Sequence, residues 1–151
     1  MPVKTDIIGG GLAWPVRLNG RGGFKTIFAK DSPESGIDKV RSSIIQILST
    51  KVGTRVIDRD FGCDLRDTIF EPLDAGAEIS QQRIATSLSE ALQRWEKRAE
   101  ITKLQVSFLR ASEGVLEIHL EFRLLATHQV GNLVYDLYID PSMRTKAIVV
   151  S

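Results

Sequence analysis

Apolar residues fall at helical spacing in two stretches of this chain and alternate strictly with polar ones in its last third. Over residues 33–50, Ile37, Val40, Ile44, Ile47 and Leu48 make one apolar face, which predicts an amphipathic helix. Ser32-Pro33 or Ser35 can start it, with Ser35 and Asp38 at capping-box spacing, and Gly53 stops it. Over residues 75–98, Ile84, Leu88, Ala91, Leu92 and Trp95 share a face while Gln82, Arg83, Ser87, Arg94 and Lys97 fall elsewhere. That is a surface helix lying on a core, with Asp74 as its cap.

The last third reads as three strands. Leu104, Val106 and Phe108 alternate with polar neighbours up to a turn at Glu113-Gly114. Leu116, Ile118, Leu120, Phe122 and Leu124 alternate with Glu117, His119, Glu121 and Arg123, which predicts one buried and one wet face. After a turn at 127–131, Leu133, Tyr135, Leu137 and Ile139 carry the third strand. Short turns between consecutive strands make an antiparallel meander. Residues 147–150 have high β propensity but no evident partner within the chain.

The remaining segments are shorter. Residues 1–11, with Gly9, Gly10 and Gly11, are expected as a flexible tail, and 12–151 as a single domain. Residues 12–29 read as two extended pieces around a turn, the reversal supplied by Asn19-Gly20 and Gly22-Gly23, with Pro15 restricting the first piece to a sheet edge. Residues 54–58, TRVID, are expected as a short strand, and 64–70 as one or two helical turns with Leu65 and Ile69 inward, ended by Pro72. The fold class is therefore α+β: an antiparallel meander sheet covered on one face by two main helices.

A chain of 151 residues holds one domain with a substantial core. Twenty basic and 19 acidic residues leave a net charge of +1, without the basic excess that nucleic-acid binding needs and with no reason to seek an anionic membrane. The single cysteine, Cys63, forbids an internal disulfide and suits a reducing compartment. No apolar run reaches the ~20 residues of a membrane-spanning helix, and MPVKTDIIGGG lacks the apolar core of a signal peptide. A cytoplasmic protein with protein partners is the simplest expectation.

Candidate chemistry is sparse. Residues 20–26, GRGGFKT, loosely resemble a phosphate loop, but Phe24 separates glycine from lysine and no helix follows directly; a hairpin turn is the better reading. His119, His128 and Cys63 are spread without metal-ligand spacing, and Cys63 between Gly62 and Asp64 has no evident activation. Glu71 with Asp60 or Asp64 could form a glycosidase pair, yet Arg55, Arg59 and Arg66 lie nearby in sequence, and carboxylates beside arginines are ordinarily salt-bridged. The sheet edges remain as candidates for strand addition by a partner.

Taken in order, Trp14-Pro15, then Ile44, Ile47, Leu48 and Thr50, then Gly53-Thr54-Arg55, then Arg59-Asp60-Phe61-Gly62-Cys63-x-Leu65, then Ile69-Phe70-Glu71-Pro72 form an ordered set. The set resembles the baseplate wedge and sheath-initiator family of contractile phage tails, whose members also occur in type VI secretion and related injection machines. It covers about residues 12–139. Two departures stand out: the family often has Gly-Glu-Arg where this chain has Gly53-Thr54-Arg55, and several members have arginine where this chain has Leu73.

The resemblance implies a structural protein of the virion tail baseplate, assembled in the host cytoplasm, without catalytic activity or cofactor. It implies the tail sheath protein, other wedge proteins and hub or tube proteins as partners, and no nucleic acid, membrane or small-molecule substrate. Residues 53–72 are then a rigid connector, anchored by Phe61, Leu65, Ile69 and Phe70, that presents Arg55, Asp60, Arg66, Glu71 and Pro72 for docking. Val134, Asp136, Tyr138, Ile148 and Val149 are expected to take part in strand addition from the first ring of sheath subunits. Alternatives are a peptidoglycan-cleaving tail lysozyme and a cytosolic anti-adaptor-like binding module on the same fold.

Overall fold

The computed structural model describes residues 8–13, 16, 18–28, 33–65, 77–108, 110–138 and 146–148. In chain order these form β1 (Gly10–Leu12), β2 (Thr26–Phe28), α1 (Pro33–Ser49), α2 (Ala77–Trp95), β3 (Ala99–Ser107), a 3-10 turn (Ala111–Glu113), β4 (Val115–Leu124), β5 (Val130–Tyr138) and β6 (Lys146–Ile148). β1 and β2 pair as a separate antiparallel ribbon, and β3-β4-β5-β6 form a four-stranded sheet in chain order. All three pairings within that sheet are antiparallel, as a meander requires.

The two helices begin and bury as their patterns dictate. Pro33 occupies the first helical position of α1, where its missing N–H costs nothing. Val40, Ile44, Ile47 and Leu48 are buried on α1, and Ile84, Leu88 and Leu92 on α2. They join Leu116, Ile118, Leu120, Phe122 and Leu124 of β4 and Leu133, Tyr135 and Leu137 of β5 in one cluster. Each such aliphatic side chain stabilises the fold by about 1.5–3 kcal/mol through burial. Gly131 is required here: a Cβ on it would lie 2.6 Å from Phe122 Cζ and 2.8 Å from Ile37 Cγ2, so the β4–β5 pair and α1 close over a missing side chain.

The 111–115 connection tightens through Val115 N–H donating to the Arg110 carbonyl at 3.1 Å, with Gly114 at φ 71°. The β4–β5 reversal lies slightly earlier than 127–131. Leu124 N–H bonds the Gln129 carbonyl at 2.8 Å, His128 takes the left-handed conformation (φ 57°), and Gly131 already belongs to β5.

Three expectations are corrected. The tail does not extend to residue 11: Ile8 is 1% exposed in the core, and Gly10 and Gly11 pair with Phe28 and Ile27. The physical cause is a clasp. Arg98 Nη1 donates to the Ile8 carbonyl at 2.9 Å while its Nε and Nη2 hold the buried Glu96 carboxylate at 2.7 and 2.5 Å. Residues 54–58 are irregular, with a bend at Val56-Ile57 in place of a strand, leaving Val56 89% and Ile57 99% exposed. Part of the segment 147–150 does have a partner in the chain: Ile148 and Ala147, with Lys146, face Val134, Tyr135 and Asp136 of β5, and residues 149–150 lie outside the described residues.

The opposite edge of the sheet is blunted. β3 carries a register irregularity between Ile101 and Lys103, and its outward charges are tied to β4 through Arg123 and Glu100 at 2.6 Å and Lys103 and Glu121 at 3.7 Å.

Candidate docking surface

The connector after α1 is pinned by its own backbone. Thr50 Oγ1 donates to the Gln46 carbonyl at 2.7 Å and closes the end of the helix. The Thr50 carbonyl in turn accepts from Cys63 N–H at 3.0 Å, and Gly53 N–H donates to the Arg59 carbonyl at 2.7 Å. Residues 50–63 thus form a closed loop. Gly53 (φ 85°) and Gly62 (φ 118°) supply the two left-handed positions it needs. Cys63 and Leu65 are buried beneath it. Burial raises the Cys63 thiol, so the thiolate is disfavoured and the residue acts as a small apolar anchor.

Against this loop lie two packed rings with a guanidinium at each end. The Arg55 guanidinium sits 3.8 Å over the Phe61 ring, whose centroid is 5.1 Å from that of Trp95 at a tilt of 55°. The Arg94 guanidinium lies 5.1 Å from the Trp95 ring, and its Nη2 reaches Asp60 Oδ2 at 3.3 Å. Each cation–ring contact contributes about 0.5–1 kcal/mol at such exposed sites. The main result is geometric: Arg55 and Asp60, predicted from sequence, are held in one network that runs across to the C-terminal end of α2. Arg66, Glu71 and Pro72, with Ile69, Phe70, the discordant Leu73 and the Trp14-Pro15 pair, lie outside the described residues.

Sequence reasoning missed four members of this surface. Arg94 and Trp95 are brought to the loop from 34 residues away, and no local pattern announces that approach. The exposure of Val56 and Ile57 was hidden because their composition suits a strand. Beside the rings, a shallow depression of about 290 Å³ is lined by Asp60, Asp64, Glu90, Arg94 and Trp95. It is open to water, and Asp60 is 72% exposed and ion-paired to Arg94. Among the described residues, no group of three His, Cys, Asp or Glu side chains could hold a metal ion.

At the other candidate region, Val134 and Asp136 are paired through the backbone to β6, and Tyr138 is the last residue of β5. Ile148 lies in β6, and Val149 is outside the described residues. Asp136 is buried, with Oδ2 accepting from Arg110 Nη1 at 3.2 Å and Oδ1 without a hydrogen-bond partner among the described residues.

The family model described as baseplate wedge protein gp25 matches residues 34–129. The baseplate wedge protein gp25 of Enterobacteria phage T4 is 30% identical over 87 residues, which are 57% of this chain and 62% of that protein. The match therefore spans less than two thirds of that relative's length. A crystal structure from Geobacter sulfurreducens, described as a candidate tail lysozyme, is 35% identical and superposes with a TM-score of 0.63 over 74% of this chain and 96% of that one. A chain of the anti-feeding prophage baseplate shares the fold, with a TM-score of 0.54 at 18% identity over 89% of this chain and 92% of that one.

Proposed function

Because the chain belongs to the baseplate wedge protein gp25 family, we propose that it is a non-enzymatic wedge component that starts sheath assembly by pairing its sheet with a strand from the first ring of sheath subunits. The observation that carries this reading is the extent of the family match. It runs from α1 through the 50–65 loop and α2 into the β4–β5 turn, so it includes the candidate docking loop and strands β3 and β4 of the sheet.

On this reading the two regions divide the work. Arg55 and Asp60, with Arg66, Glu71 and Pro72, dock the chain on neighbouring wedge and hub proteins. The β5–β6 side, with Val134, Asp136, Tyr138, Ile148 and Val149, receives the sheath strand through main-chain hydrogen bonds. The work is done in the virion tail baseplate, after assembly in the host cytoplasm.

Host cells producing the tail without this chain should yield tubes lacking sheath, with sheath subunits left soluble, as seen by electron microscopy. Normal sheathed tails in its absence would reject the reading. The lysozyme description of the Geobacter structure supplies the competing reading. Release of reducing ends from peptidoglycan by the purified chain, lost in Asp60→Asn or Glu71→Gln, would favour it.

A further inference from the structure

The ribbon formed by β1 and β2 ends in a turn at residues 19–23 that Asn19 closes with both its backbone and its side chain. Asn19 N–H donates to the Gly23 carbonyl at 2.6 Å, and Gly22 N–H donates to the Asn19 carbonyl at 3.2 Å. Asn19 Oδ1 accepts from the N–H groups of Arg21 and Gly23 at 3.0 and 2.8 Å. Gly22 supplies the left-handed position (φ 80°). The base of the ribbon is also tied down. Ala13 N–H donates to the Lys25 carbonyl at 2.9 Å, Gly10–Leu12 pair with Thr26–Phe28, and Lys39 of α1 donates from Nζ to the Leu12 carbonyl at 3.4 Å.

This arm presents an apolar tip in a basic setting. Leu18 and Phe24 stand opposite each other across the ribbon, so their side chains share one face, and they are 69% and 59% exposed. Single apolar side chains on a surface are ordinary, whereas a facing pair held on a closed turn is a patch kept in water. Arg21 and Lys25 lie beside the pair in sequence, both exposed and neither with an acidic partner among the described residues. From residue 12 to residue 28 the sequence has three basic residues, Arg17, Arg21 and Lys25, and no acid, so the rest of the chain is net acidic. Positive charge is thus segregated onto the arm, and its complement is a surface of carboxylates.

We propose that the 18–24 tip docks into an apolar cleft rimmed by Asp and Glu on a neighbouring protein of the baseplate. That the neighbour is a baseplate protein rests on the wedge reading above; the chemistry of the cleft is read from the arm itself. Aromatic and arginine side chains carry much of the energy at protein interfaces, and a turn already closed gives up little freedom on docking. A lipid surface is the poorer match: even a whole acyl chain gives only marginal membrane binding, and the tip offers one facing pair of side chains.

The test uses the full chain with p-benzoylphenylalanine in place of Phe24, assembled into tails in cells lacking the native chain. Irradiation of purified tails, followed by mass spectrometry, should give a cross-link to one baseplate protein at an apolar segment flanked by Asp or Glu. No cross-link in tails that contain the chain, a cross-link to a segment without acids, or one to a second copy of the chain overturns the proposal. Arg21→Glu with Lys25→Glu should lower incorporation into tails at least ~10-fold, and reversing the cross-linked acids to Lys should restore it. Leu18→Ser with Phe24→Ser should lower incorporation as much. Both double variants should melt within about 3 °C of the wild type, and if one is less stable the cross-link decides alone. Normal incorporation of either variant overturns the proposal. Vesicles of phosphatidylglycerol and phosphatidylcholine should not bind the purified chain; binding abolished by Leu18→Ser with Phe24→Ser moves the tip to a membrane and overturns the protein cleft. These failures are separate from failure of the sheath reading, which shows as sheathed tails formed in the absence of the chain.

Discussion

A Cβ placed on Gly62 would lie 2.2 Å from the carbonyl oxygen of Thr50. That carbonyl accepts the hydrogen bond from Cys63 that closes the 50–63 loop. Gly62→Ala therefore combines a left-handed backbone with a backbone clash and should destabilise the protein by about 2–5 kcal/mol. For a domain of this size the melting temperature should fall by roughly 5–15 °C. Gly53→Ala, also at positive φ but facing open space, should cost only about 1 kcal/mol. Parallel thermal melts of the two variants check the contrast.

The Glu96 carboxylate is 1% exposed and depends on Arg98 for its charge compensation. Arg98→Ala leaves that charge buried and alone and should cost about 3–5 kcal/mol. It also removes the donor to the Ile8 carbonyl, so amide exchange around residues 8–12 should accelerate more than in β4. Replacing Glu96 and Arg98 together by Leu and Met should cost less than Arg98→Ala alone. Urea titrations of the single and double variants give the coupling.

Cys63 sets a pH dependence. Its thiol is raised in the folded state, chiefly by burial, so the folded protein holds the proton more tightly than the unfolded chain. The associated stability is fully present below the unfolded thiol value, and it is lost as pH climbs from there towards the raised folded value. Urea midpoints measured from about pH 7 to about pH 10 should fall at the alkaline end in the wild type and fall less in Cys63→Ala. Native protein should react slowly with a thiol reagent.

Val56 and Ile57 touch almost nothing in the isolated chain. Val56→Ser with Ile57→Ser should change stability by no more than about 0.5 kcal/mol each. If the loop docks on other wedge proteins, the same double variant should reduce incorporation into baseplates several-fold. Purified particles compared by mass spectrometry report incorporation, and calorimetry reports stability.

The helices and the meander were legible because their periodicity is set by what they bury: Ile44 and Leu88, or Leu116 through Leu124, face the core at the spacing the sequence shows. The failures share a different cause. Residues 54–58 have strand composition, but the Gly53 to Arg59 hydrogen bond closes them into a loop, and no local preference encodes that closure. Ile8 was assigned to a tail because its burial depends on Arg98, ninety residues away. β6 was left without a partner because a three-residue apolar run carries no register of its own. At the candidate surface, motif order singled out Arg55 and Asp60, whereas Arg94 and Trp95 join them only when the end of α2 comes to rest beside the loop.

The irregularity in β3 has a directional consequence. With Glu100 and Lys103 committed to ion pairs across to β4, that edge offers no flat template for another chain. If a strand adds to this sheet as proposed, it adds on one side only, and a polymer begun in that way would grow away from the protein with a fixed polarity.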